Sequence, residues 1–550
     1  MRSRVEADEL LRAVSGLPES NGSRYYRRIG VRIGIVCDRL YYDLLSSAAD
    51  FVYLSPDASV DVLKTIDLLL VVTTWRGLKD REWWKMYSRG TCANERIGWI
   101  VARCRELGKP TVFYSKEDPP NYHCFLEIAR QCDFVFTTAQ ECVDYYRKAC
   151  GHDRVHVLRF CIDPKLHNPV GSRSVPKRGA VLFAGSWVRK YPRRCRELGK
   201  ILDGVIGSGV GLDVIDRNSF RSENRMYRFP RRFRKYAVPE MEHGELLRVY
   251  RAYDWAVNAN SVQRSFTMFA SRVYELQAVG TLMISNPSLG MMRDFPDVFV
   301  VRDARAVGEL LRAFTPRETY ALQMAGVRRV MGGATCYDRL AELLGLVGLP
   351  VPETVRRVLV VADGPDAACR KMFDAQTYPH RTFRLRNELA DADLEAADAI
   401  AFFDSERTYG RHYLEDMMNA FKYTDCDYVV CGGSREHEFT DRMGARGRVL
   451  FWREAFGWTR ICELTEGAVV PNGYVIDGFS CGSAEEMSAL ERTIERKLQA
   501  LRAKVLPEDE PTGEPEFVRP RARTVLMDKL CGRPVVGRLL RVLRRVWNMR

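Results

Sequence analysis

The sequence carries sixteen cysteines, from Cys37 to Cys531, yet lacks a single C-x-x-C pair. Zinc sites and small secreted scaffolds rest on repeated short cysteine spacings, so this scatter argues for reduced, mostly buried thiols. No run approaches the ~18 uninterrupted apolar residues that a membrane span needs. Met1 to Leu17 mixes Arg, Glu and Asp with Leu, without the apolar core and small-residue cleavage site of a secretory signal. A cytoplasmic protein is therefore expected. Internal repeats and low-complexity segments of functional length are absent. The basic run Arg221, Arg225, Arg228, Arg231, Arg232 and Arg234 has no nucleic-acid-binding motif around it. It reads as a solvated surface that partly faces an acceptor, and no nucleic-acid partner is expected.

What is present is an ordinary soluble mixture, 46 % apolar and 28 % charged over 550 residues, too long for one core. Three compact lobes plus tails are expected. The formal charge of +14 favours an anionic partner such as nucleotide phosphates, an acidic polymer or a membrane surface. From Arg519 onward, ten basic residues face one acid, Asp528. Within that tail Val536, Leu539, Leu540, Leu543, Val546 and Trp547 recur at helical spacing. This predicts a basic amphipathic helix lying on anionic lipid, or docked on the protein's own surface.

Along the chain, "VRIGIVCD", "IDLLLVVTTW", "PTVFYSKEDPP", "CDFVFTTA" and "RVHVLRF" read as buried parallel strands. "WIVARCRELGK" and "ECVDYYRKAC" read as intervening helices. Residues 1–29 form an N-terminal extension and 30–168 a doubly wound first lobe. Asn168 to Arg178 reads as an interdomain linker. A second α/β lobe, 179–350, opens with "AVLFAGSW" and continues through "GLDVID", "YDWAVNAN" and "GTLMISN". Two such lobes place a ligand cleft between the carboxyl ends of their sheets. A third α/β unit spans 356–500, and 506–550 forms a linker and the basic tail.

Several words are unusual enough to carry a resemblance: "WRG", "PTVFYSKEDPPNYHCFLEIARQCDFVFTTA" and "VLRFCIDPKLHNPV", then "FAGSW", "VIDRNS", "YRFP" and "NANSVQRSFTMFASRVYELQAVGTLMISN". Over about residues 30–315 the chain resembles the CgeB-like, spore-maturation-type glycosyltransferases, relatives of group 1 glycosyltransferases with a GT-B fold. Residues 356–480, through "AQTYP", "FFDSERTYGRHYLEDM" and "AFKYTDCDYV", resemble a shortened GT-A glycosyltransferase domain. The implied fold is two Rossmann-like lobes followed by a smaller α/β domain. The implied activity moves a sugar from a nucleotide-diphosphate donor to a hydroxyl of a glycan, a cell-envelope polymer or a protein. The alternative is a non-catalytic scaffold of surface-polymer or spore-coat assembly.

The resemblance also implies site residues. Glu275, in "SRVYELQAVG", corresponds to the glutamate whose two oxygens accept hydrogen bonds from the donor ribose hydroxyls. The group 1 pattern has another glutamate eight positions earlier, where this chain has Thr267, so a hydroxyl serves there instead. Asn260, Ser261 and Thr267 lie in the polar loop before the helix, which suits phosphate or sugar hydroxyls. Arg272 in its first turn and Arg217 after "VID" supply cations for the diphosphate. Gly185 lets the backbone approach it. At the end of the "VFYS" strand, Glu117 and Asp118 are the candidate general bases. Trp75, Arg76 and Lys116 are the candidate acceptor-side groups. No cofactor is expected for the two-lobed unit. In the third unit Asp404 and Glu406 stand where a D-x-D motif would hold Mg²⁺ or Mn²⁺. Ser405 and Arg407 depart from that motif, so a degenerate domain is expected.

Overall fold

The computed structural model describes residues 4–221, 224–351, 353–364 and 367–505. The predicted tail helix, Val536 to Trp547, lies outside the described residues. The first lobe is a six-stranded parallel sheet: β1 (Ile29–Val36), β2 (Ala49–Tyr53), β3 (Leu68–Val72), β4 (Thr111–Ser115), β5 (Phe134–Thr137) and β6 (Val155–Val157). Their order is β2-β1-β3-β4-β5-β6. β3 and β4 are buried at every position, as strands covered by helices on both faces must be. The edge strand β2 alternates more weakly and has no counterpart in the sequence reading.

The second lobe repeats the plan with β7 (Arg178–Gly185), β8 (Gly211–Asp216), β9 (Ala237–Pro239), β10 (Tyr253–Asn258), β11 (Leu282–Ser285) and β12 (Phe299–Val300), ordered β12-β11-β10-β7-β8-β9. All its strand pairs are parallel. Residues 29–300 thus fold as two Rossmann-like α/β lobes. Helix Arg272–Ala278 ends at Gly280, whose φ of +74° is the left-handed geometry glycine adopts without a Cβ penalty.

The third unit holds a seven-stranded mixed sheet. Its strands run in the order Arg381–Leu385, Val358–Ala362, Ala399–Phe403, Val449–Trp452, Tyr428–Cys431, Val469–Ile476 and Phe439–Arg442. Val449–Trp452 is antiparallel to both of its neighbours. This third sheet has one strand more than that of either lobe.

Three segments lock the units together. In the N-terminal extension, helix Arg4–Val14 packs on β9 and on helix His243–Arg251 of the second lobe. Arg24 then pairs with Asp425 and Asp427 of the third unit. Helix Cys336–Val347 returns to the first lobe, where Tyr337 donates to the Ser47 carbonyl and its ring stacks on Tyr26 at 4.2 Å. The last helix, Ala484–Val505, leaves the third unit, and its Ile494, Leu498 and Leu501 pack on the second-lobe core. These side chains are partly buried, so each contributes less than the roughly 1.5–3 kcal/mol of full burial.

The segment read as a polar linker is half core. His167 through Ser172 is buried, and the Arg251 guanidinium donates to the Val170 carbonyl at 3.0 Å. The Gly171 amide donates to the His437 carbonyl of the third unit at 2.7 Å. A buried backbone must find such partners, and these come from elements far away in sequence.

Candidate active site

A cavity of about 250 Å³ opens between the carboxyl ends of the two parallel sheets. Asp38, Trp75, Lys116 and Glu117, which follow β1, β3 and β4, line its first-lobe wall. Arg217 after β8, His243, Ser271 and Glu275 line the second-lobe wall, and His167 closes the floor. Leu40, Tyr41 and Leu44 add an apolar side. Open α/β sheets bind ligands at this edge because strands deliver side chains there and helix N-termini point into it.

Glu275 sits in the first turn of helix Arg272–Ala278, its Oε1 accepting from Ser271 Oγ at 3.1 Å. Arg272 opens that helix, and its Nε is buried without a hydrogen-bond partner. Its guanidinium lies over Gly185: a Cβ built there would stand 3.4 Å from Arg272 Nη1 and 2.9 Å from the Phe183 ring. Glycine is needed here for space. The Arg217 amide donates to the Gly185 carbonyl at 3.2 Å, which fixes the strand end, while its exposed side chain reaches the cavity. Arg217 and Glu275 thus line the cavity, while Arg272 and Gly185 meet each other beside it, outside its lining.

The loop residues behave differently. Asn260 is 1 % exposed and stitches the loop, its Oδ1 accepting from the Ala270 amide at 3.0 Å and its amide donating to Asn286. The Thr267 hydroxyl accepts from the Gln140 amide of the first lobe at 2.8 Å. Its neighbour Ser265 donates to Glu141 at 2.9 Å. These two side chains tie the lobes together instead of lining the cavity. Ser261 is exposed and is also outside the cavity wall.

On the first-lobe side, Lys116 Nζ lies 3.4 Å from Glu117 and 3.9 Å from Asp38. Glu117 also accepts from Asn121 at 3.0 Å. Asp118 is not in the cleft. It is wholly buried, accepting from Thr137 at 2.6 Å and Tyr146 at 3.2 Å. Burial pushes its carboxyl up to about 7. With no route to an acceptor hydroxyl, Asp118 cannot serve as the base in this geometry. Trp75 packs edge-on against Tyr87 and Phe125 with one face toward the cavity. Arg76 stands beside it, half-buried, held below its usual pKa by burial and then by Arg221 and Arg81.

Asp38, His167 and His243 line the cavity and had no part in the sequence reading. Asp38 accepts the amides of Trp75, Arg76 and Gly77 at 2.8–3.2 Å, shaping the acceptor-side turn. His167, His243 and Glu275 present ligand atoms within 4.8 Å of one another. His167 is 1 % exposed, and burial lowers its imidazole to about 4. Burial likewise lowers His243. The one sequence signal was scarcity, eight histidines in the chain, and two of them meet here.

In the third unit Asp404 Oδ2 accepts from Arg407 Nε at 3.0 Å, while Glu406 is exposed. A Cβ on Gly447 would stand 2.3 Å from Asp404 Oδ2, so backbone closes the other side. Asp404 Oδ1 is buried without a hydrogen-bond partner.

Residues 204–345 match a family model described as glycosyl transferase-like. No curated protein sequence matches the chain. Among solved structures, the N-terminal domain of Candida albicans trehalose-6-phosphate phosphatase is similar at 10 % identity and a TM-score of 0.37, over 60 % of this chain and 99 % of that one. An alpha-glucosyltransferase in complex with UDP and a 13-mer DNA containing a central A:G mismatch is similar at 11 % identity and 0.40, over 58 % and 100 %. Anabaena HepE in complex with UDP and glucose is similar at 8 % and 0.38, over 58 % and 91 %.

Proposed function

We propose that the two-lobed unit is a glycosyltransferase that takes a sugar from a nucleotide-diphosphate donor and delivers it to a hydroxyl of a glycan, an envelope polymer or a protein. The observation that carries this reading is that Glu275 and Arg217 line one interlobe cavity, with Arg272 opening the helix of Glu275 and its guanidinium lying over Gly185. An ionised carboxylate offers two acceptors to a vicinal diol. Two arginines and a helix N-terminus oppose the charge that grows on the leaving diphosphate. In this reading no divalent ion is needed there. Glu117, on the facing wall beside Lys116, takes the proton of the acceptor hydroxyl, and Trp75 offers an aromatic face to a sugar ring. Asp404 and Glu406 then belong to a third unit that does not carry the reaction.

The test is donor binding. Glu275→Gln keeps the size and weakens hydrogen bonds that contribute ~1.5–3 kcal/mol each when charged. Affinity for the preferred nucleotide diphosphate should fall at least about tenfold by calorimetry, with little change in melting temperature. Unchanged affinity in the variant would remove Glu275 from the donor site.

A further inference from the structure

We infer that His167 is a second reader of the donor ribose, sharing its vicinal diol with Glu275 and making the site selective for ribonucleotides over deoxyribonucleotides. This rests on the donor-site reading above and adds a residue to it.

The argument begins with where the protons are. His167 Nδ1 lies 3.0 Å from the Asp163 backbone carbonyl. A carbonyl oxygen only accepts, so Nδ1 carries the hydrogen in that contact. Burial keeps the ring neutral near pH 7. Nε2 is then a bare lone pair, and it is buried with no hydrogen-bond partner. The ring lines the same cavity as Glu275, and the two residues offer ligand atoms within 4.8 Å of each other. Two acceptors at that spacing cannot satisfy one another. A buried polar atom left unpaired is costly, so the pair calls for donors between them.

Either a diol with two O–H groups or a metal cation would meet that demand. The surroundings favour the diol. The cavity is about 250 Å³, with an apolar side at Leu40, Tyr41 and Leu44 and a cation at Arg217, room and chemistry for a nucleoside phosphate. Arg217 on the same wall opposes a second positive charge beside His167, His243 and Glu275, which weighs against a cation. Sites built to hydrogen-bond a hydroxyl reject the analogue that lacks it, because their own acceptor is then stranded.

The informative variant is His167→Asn. Asn can still donate to the Asp163 carbonyl, in place of Nδ1, but has nothing at the Nε2 position. UDP, GDP and ADP would be titrated into the wild type, and the tightest binder compared with its 2′-deoxy and 3′-deoxy analogues. The wild type should prefer the ribonucleotide at least about tenfold over one of the two analogues. In His167→Asn that preference should shrink to about threefold or less, with affinity for that analogue unchanged. Circular dichroism and the melting curve establish that the variant is folded. If it is not, His167→Ser, which also leaves the Nε2 position empty, is read in the same way. Undiminished discrimination in a folded variant overturns the inference. So does micromolar binding of ZnCl₂ by the nucleotide-free wild type, lost in the variant, when discrimination is unaffected. If Glu275→Gln loses affinity while His167→Asn keeps its discrimination, only this inference fails. If the wild type binds none of the three nucleotides, the donor-site reading fails with it.

Discussion

Arg328, on helix Pro316–Met331 of the second lobe, grips Asp416 of the third unit with two parallel hydrogen bonds of 2.5 and 2.8 Å. Both side chains are largely out of solvent, and Ser480 donates to the same carboxylate at 2.6 Å. The carboxylate raises the arginine's pKa. A fork-to-fork contact of this kind fixes angle as well as distance, so it sets how the third unit sits on the second lobe. Removing one member leaves the other charge buried without a partner, which costs about 3–5 kcal/mol. Asp416→Ala should therefore unfold at clearly lower denaturant concentration, while the double variant Arg328→Met/Asp416→Leu recovers much of the loss. Equal destabilisation in single and double variants would show that the pair does not act as a unit.

The Asp404–Arg407 contact bears on metal dependence. A guanidinium 3.0 Å from Asp404 Oδ2 repels a divalent ion and lowers the affinity of this carboxylate for one. Glycosyl transfer should therefore continue in EDTA, and Asp404→Asn should leave kcat within about twofold. Activity lost to EDTA and restored by Mn²⁺ would move the chemistry into the third unit.

Asp118 predicts a pH signature. Its folded-state pKa of about 7 stands above the ordinary value of 3.8. The stability it contributes is full below pH ~4 and is lost as pH rises through about 7, because the unfolded chain releases its proton first. Asp118→Asn removes that slope while keeping the shape. The melting temperature of the variant relative to wild type should thus be higher at pH 8 than at pH 5. Groups common to both proteins, including His167 and His437 with their lowered pKa values, cancel in this difference. A difference that does not vary with pH would refute the assignment.

The basic tail carries a prediction that rests on sequence alone. Its apolar stripe, Val536 to Trp547, spans about three turns, enough to lie in an interface and too short for ~30 Å of hydrocarbon. Each arginine near an anionic surface adds roughly 1 kcal/mol, which salt screens. Deleting residues 520–550 should abolish sedimentation with phosphatidylserine vesicles at low salt and leave transfer to a soluble acceptor nearly intact. Continued sedimentation of the truncated protein would refute it.

The two parallel lobes were legible because local composition dictates them. A strand buried on both faces must be almost wholly apolar, and "LLLVV" and "TVFYS" have no other stable use at that length. Gly280 after "YELQA" marks a helix end for an equally local reason. That Glu275, Arg272, Arg217 and Gly185 fall near one edge of one lobe was legible because all four lie at strand or helix ends. What the tertiary structure alone decided is which polar groups face the cavity. Glu117 and Asp118 are adjacent and chemically alike, yet one lines the cleft and the other is sealed beneath Thr137 and Tyr146. Thr267 sits in a loop that looks like ligand chemistry, but its hydroxyl is taken by the Gln140 amide 127 residues away. His167, just before the stretch read as a linker, becomes a buried wall of the site, because Arg251 and the third unit supply the hydrogen bonds that let the following backbone leave water. Such outcomes depend on partners distant in sequence, and no local pattern encodes them.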